Sequence, residues 1–162
     1  MNKIEKVYSY TEFESETELT DTDRGLLRQA TEAARNAYAP YSSFRVGAAI
    51  RLSNGQIFIG SNQENSAYPS GLCAERVALF AASANCPGLT VETIAITALD
   101  LKAGLKEPVT PCGACRQVMA EYETSGSQSM RIVLGSDNGK IYIIEGMHHL
   151  LPLMFTTKYL NK

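Results

Sequence analysis

Little in this sequence points to a stapled scaffold, a membrane or a polyanion. It has only 4 cysteines in 162 residues, too few for a disulfide framework. The apolar run from Val77 to Ala82 falls far short of the ~20 residues that span a bilayer, so no membrane partner is expected. Basic residues are not in excess: 15 Lys+Arg face 17 Asp+Glu, a net charge of −2. That balance argues against a nucleic-acid partner, which calls for a basic patch. Met1 to Lys6 lead into Glu12, Glu14, Glu16 and Glu18 with no apolar core between them, unlike a secretory signal. Repeats and low-complexity linkers are missing too. What remains is an ordinary composition, 44% hydrophobic and 20% charged, at a length that suits one domain. The expected compartment is the cytoplasm, where thiols stay reduced and clustered cysteines bind metal or do chemistry.

Residues 1–20 are polar with scattered aromatics and read as an extension before a domain over 21–162. From Thr22 or Asp23, Leu26, Leu27, Ala30, Ala33, Ala34, Ala37 and Tyr38 recur at three- and four-residue steps, which predicts a helix that Pro40 stops. Asp21, Thr22 and Asp23 are its candidate caps. Val46 to Leu52 and Gln56 to Gly60 flank Ser53-Asn54-Gly55, a hairpin signal, because Asn and Gly tolerate positive φ. A loop to Leu72, a helix from Cys73 to Ala84 and a buried strand from Val91 to Leu99 follow. Asp100 to Thr110 reads as a loop before a helix from Pro111 to Tyr122. Arg131 to Leu134 and Ile141 to Glu145 flank a second hairpin signal, Asp137-Asn138-Gly139, before a short helical tail interrupted by Pro152. The order predicts an α/β fold: three α/β/α layers around a mixed five-stranded sheet.

Two segments carry chemistry, Cys73-Ala74-Glu75-Arg76 and Pro111-Cys112-Gly113-Ala114-Cys115-Arg116-Gln117. Each lies where a loop enters a helix. Unpaired N–H groups and the positive end of the dipole favour thiolate there. Cys112 and Cys115 share one face of a first turn. Cys-x-x-Cys alone fits a thiol–disulfide pair nearly as well as a metal site. A third cysteine with a carboxylate two residues on favours metal: three thiolates for a tetrahedral Zn²⁺, the fourth position left to water. Cys86 sits at the far end of its helix, roughly 20 Å from Cys73 at about 1.5 Å per residue, too far to close the site.

A ligand, one residue, Glu, then Pro-Cys-x-x-Cys is the signature of the zinc nucleobase deaminases. Together with Ala37 to Ala49, Asn62-Gln63-Glu64-Asn65, and Leu150-Leu151-Pro152 with Phe155, the sequence resembles the small homotetrameric cytidine deaminases from about Asp23 onward. The resemblance implies one Zn²⁺ per chain on Cys73, Cys112 and Cys115, and a nucleoside substrate, cytidine or deoxycytidine, in pyrimidine salvage. Glu75 is then the general acid/base. Arg76 hydrogen-bonds the sulfurs, whose three negative charges outweigh the two positive charges of zinc. Asn62 and Glu64 grip the ribose, the Ala74 N–H meets the pyrimidine O2, Phe44 lines the base pocket, and Tyr68 and Phe155 reach a neighbouring subunit's site. Residues 1–20 and extra length within Asp100 to Pro108 depart from the family pattern. His148 and His149 read as cap or surface residues.

Overall fold

The computed structural model describes residues 1–101, 104–126, 128–136 and 139–160. Strand β1 (Thr11–Phe13) comes first, then helix α1 (Asp21–Arg35). Thr20, not an aspartate, caps α1: its hydroxyl accepts from the Asp23 N–H, which leaves Asp21 and Asp23 in the first turn, where the dipole favours them. The helix ends short of Pro40 because Tyr38 pairs outside it. The Tyr38 N–H donates to the Asn62 carbonyl at 3.1 Å, and its own carbonyl accepts from the Glu64 N–H at 2.9 Å.

Strands β2 (Phe44–Leu52) and β3 (Ile57–Ser61) form the expected hairpin, and Gly55, with φ +82°, is the turn residue that uses the left-handed region. Helix α2 (Ala74–Asn85), strand β4 (Val91–Asp100) and helix α3 (Gly113–Ser125) follow, then β5 (Arg131–Gly135) and β6 (Ile141–Glu145). β5 and β6 pair antiparallel; Asp137 and Asn138 of the second hairpin signal lie outside the described residues. In place of a helical tail there are two 3₁₀ turns, Met147–His149 and Thr157–Tyr159, on either side of Pro152.

Among the described residues the sheet has six strands, not five, in the order β1-β6-β5-β4-β2-β3. Among the described strands, only β4 and β5 run parallel. The additional strand is β1, which pairs with the edge of β6. Three residues are too few to leave a readable alternation, and the pairing comes from the edge that β6 offers. Alternate residues of the inner strands face opposite layers. Ala48, Ile50, Ile94, Ile96, Ile132 and Leu134 pack with Leu79 of α2 and Met119 of α3. Ala49, Ala95 and Val133 meet Leu26, Leu27 and Ala30 of α1. Gly60 lets α2 press onto β3, since a Cβ there would lie 2.6 Å from the Ala74 carbonyl oxygen.

Candidate active site

Cys73 and Cys112 are the N-cap residues of α2 and α3, so each helix opens on a cysteine and points its unpaired N–H groups toward the same region. Cys115, one turn into α3, completes a cluster whose three sulfurs lie within 4.8 Å of one another. The Cys73 and Cys112 sulfurs are 4.0 Å apart. Zinc–sulfur bonds of about 2.3 Å in a tetrahedron place sulfurs about 3.8 Å apart, so the donor set fits Zn²⁺. Cys86 is not in the cluster; its thiol donates to Gln56 Oε1 at 3.0 Å.

The electrostatics favour thiolate at the first cysteine. A hydrogen bond from the Cys115 thiol, aided by Arg76 and Cys112, pulls Cys73 down to about 5 against the cost of burial. Cys115 is pushed up, chiefly because its proton is engaged by Cys73 and because it is buried. Arg76 Nη2 donates to Cys73 Sγ at 3.6 Å, and that bond holds the guanidinium in its charged form. Glu75 is only 4% exposed. Burial first, and the charge of Cys73 behind it, hold its carboxyl above the usual range.

These groups open onto a cleft of about 700 Å³. Of the residues expected at the site, Phe44, Asn62, Glu64, Tyr68, Cys73, Glu75, Arg76 and Cys112 all line it. Ala74 and Cys115 are fully buried. Phe155 does not line the cleft; its ring stacks on Tyr159, 5.8 Å between centroids. The Asn62 side chain braces β2: its Oδ1 accepts from the Val46 N–H at 2.7 Å and its Nδ2 donates to the Phe44 carbonyl at 3.0 Å. His149 Nδ1 accepts from the Ser9 N–H at 3.1 Å, and neither it nor His148 belongs to the three-residue cluster.

The family model described as "Cytidine and deoxycytidylate deaminase zinc-binding region" matches residues 20–129. The chain belongs to the cytidine and deoxycytidylate deaminase family. A cytidine deaminase of Halalkalibacterium halodurans is 40% identical over 136 residues, 84% of this chain and 96% of that one. Among solved structures, the cytidine deaminase of Burkholderia pseudomallei superimposes with a TM-score of 0.72 at 39% identity, covering 85% of this chain and 100% of that one. That of Mycobacterium leprae gives 0.61 at 29%, covering 82% and 98%. For a deaminase-family chain, the zinc-binding region and the three-sulfur cluster fit one Zn²⁺.

Ser42, Thr110 and Arg116 were not anticipated at this site. Ser42 holds Glu64, Thr110 lines the cleft, and Arg116 binds the segment that enters α3. Ser42 and Arg116 stand inside the motifs, but nothing in their residue type announces these bonds.

Proposed function

We propose that this chain catalyses hydrolytic deamination of cytidine and deoxycytidine to uridine and deoxyuridine, releasing ammonia. One observation carries the reading: three sulfurs gathered at two helix starts, with a buried carboxyl beside them on the wall of one cleft. Cys73, Cys112 and Cys115 hold one Zn²⁺, which when bound supplies the Lewis acidity that makes water nucleophilic near neutral pH. Glu75 takes one proton from the attacking water and delivers it to N3, which makes C4 electrophilic, and then carries the second water proton, from the hydroxyl added at C4, to the departing amine. The water oxygen ends on C4 and nitrogen leaves as ammonia, with no change of oxidation state. Arg76 draws negative charge from Cys73 through their hydrogen bond.

Phe44 lines the base, and the Ala74 N–H meets the pyrimidine O2. Asn62 and Glu64 hold the ribose 3′-hydroxyl. After its two backbone bonds, Asn62 still has one N–H and one lone pair to offer. Ultraviolet loss of cytidine, with and without a chelator, tests the reaction. Turnover that a chelator abolishes and zinc restores is the expected result. Full turnover by the zinc-free chain, or none by a chain holding one zinc, overturns the reading.

The working form is a homotetramer in which Tyr68 and Phe155 complete a neighbour's site. Both are exposed in the single chain, at 79% and 55%, and so is Leu153 at 87%; subunit association is what covers large apolar groups of this kind. Light scattering gives the subunit count. Mixing inactive Glu75→Gln and Phe155→Ala chains should restore activity, and no rescue in demonstrably mixed oligomers overturns the sharing. A site made of reduced thiols suits a cytoplasmic location.

A further inference from the structure

Arg116 follows Cys115 in α3, and its backbone N–H donates to the Cys112 carbonyl at 2.9 Å. Helical side chains lean toward the N-terminus, so its guanidinium reaches back over the segment that enters the helix. Nε donates to the Pro111 carbonyl at 2.7 Å, Nη2 to the Thr110 hydroxyl at 2.8 Å and Nη1 to the Leu150 carbonyl at 3.0 Å. Among the described residues, no backbone–backbone hydrogen bond holds residues 107–111. Pro108 and Pro111 are buried, but among the described residues the hydrogen bonds on this approach to Cys112 come from one side chain, which also ties it to the segment after the Met147–His149 turn. That segment is itself fixed, with the Leu151 N–H on the Met147 carbonyl at 2.7 Å and Gln117 Nε2 on the Phe155 carbonyl at 2.9 Å.

We infer that Arg116 is a positioning residue for the metal site: it sets the backbone before Cys112 so that this sulfur stands in place before the cation arrives. The inference rests on the reading of Cys112 as a zinc ligand. Groups that orient metal ligands are worth about 10–100-fold in metal affinity. Three acceptors lying in different directions need the planar fork of arginine, and the single nitrogen of lysine cannot serve them together.

Cobalt(II) titration of the metal-free full chain against a competing chelator reads affinity and, through sulfur-to-cobalt absorption, thiolate ligation. Arg116→Gln and Arg116→Lys should both bind cobalt about 10–100-fold more weakly than the parent. Thr110→Val, which removes one of the three bonds, should lose less and serves if the arginine variants do not fold. Asp23→Asn is the stability control. It breaks the pair with Arg131, 3.0 Å at its shortest, on the α1 side of the sheet, so it should lower Tm and leave cobalt affinity unchanged. Parent-like affinity in the folded Arg116 variants, or in Thr110→Val where those do not fold, overturns the inference. An equal loss in Asp23→Asn at matched Tm does so as well. A Cys112→Ser chain that binds cobalt as tightly as the parent overturns the ligand assignment instead.

Discussion

The Glu64 carboxylate accepts the Ser42 hydroxyl, and one of its oxygens also takes the Tyr41 and Ser42 N–H groups at 2.8 and 3.3 Å. Ser42 Oγ in turn accepts from the Phe44 N–H at 3.0 Å, while Ser43 beside it holds a left-handed φ of 61°. The loop that carries the base-pocket aromatic and the carboxylate assigned to the ribose thus form one hydrogen-bonded unit.

Ser42→Ala should therefore act on binding more than on chemistry. KM for cytidine is expected to rise several-fold with kcat nearly unchanged, read from steady-state kinetics. A kcat loss larger than the KM change would place Ser42 in the chemical step.

The same bonds, the Ser42 hydroxyl first and the Tyr41 N–H next, hold the Glu64 carboxyl below its ordinary value, which is about 4.3. A lowered carboxylate keeps its contribution at high pH and loses it as pH falls through the folded-state value. KM should be flat above about pH 5 and rise only below the ordinary Glu range. In Ser42→Ala the rise should begin at higher pH. Binding measured from pH 3.5 to 8 checks this, and identical profiles for the two chains would detach Glu64 from substrate binding.

Metal content should separate the cysteines. Cys112→Ser is expected to hold no zinc, while Cys86→Ser, at a position whose thiol donates to Gln56 and lies outside the sulfur cluster, should keep one zinc per chain by elemental analysis. Equal loss in both variants would contradict the three-ligand site.

Glu75→Gln keeps the side-chain shape and removes the proton carrier. Zinc and nucleoside binding should survive while turnover falls by about 10²–10⁴-fold. Near-parental turnover would put the proton transfer on another group.

Gly60 and Gly25 should respond in opposite directions to alanine. At Gly60 the new Cβ meets the Ala74 oxygen and the Ala78 nitrogen, both at 2.6 Å and both backbone, so α2 must move. A loss of about 1–3 kcal/mol is expected from such overpacking, together with reduced activity, since Cys73 and Glu75 flank Ala74. At Gly25, exposed within α1, nothing lies within 4 Å, and alanine should add about 0.5–1 kcal/mol. Urea unfolding of both variants measures the contrast.

Where chemistry and periodicity were local, the sequence was readable. Asn54-Gly55 between apolar runs marked the β2–β3 hairpin, and each cysteine segment marked a helix start. Other features depended on partners distant in the chain. Nothing in Thr11–Phe13 specifies a strand until Ile141–Ile143 is beside it. Ala37 and Tyr38 continue the helical pattern, yet pairing of Tyr38 with Asn62 and Glu64 ends α1 at Arg35. Within the site, the spacing of the cysteines pointed to a metal, and the family resemblance pointed to Glu75 and Arg76. The bonds from Ser42 to Glu64 and from Arg116 to Leu150 join segments 22 and 34 residues apart, which no local pattern records.

The pairing of β1 with β6 also bears on the order in which the molecule can form. Thr11 faces Ile143, Lys6 Nζ donates to the Pro152 carbonyl at 2.7 Å, and Ser9 meets His149. Synthesis runs from the N-terminus, so residues 6–13 are made before the surfaces at 141–152 that receive them. During synthesis the layers around β2 and β4 and the three cysteines emerge before β6 exists. Residues 11–13 therefore leave the ribosome well before their partner, and β1 can close this sheet edge only once Ile141–Ile143 is made.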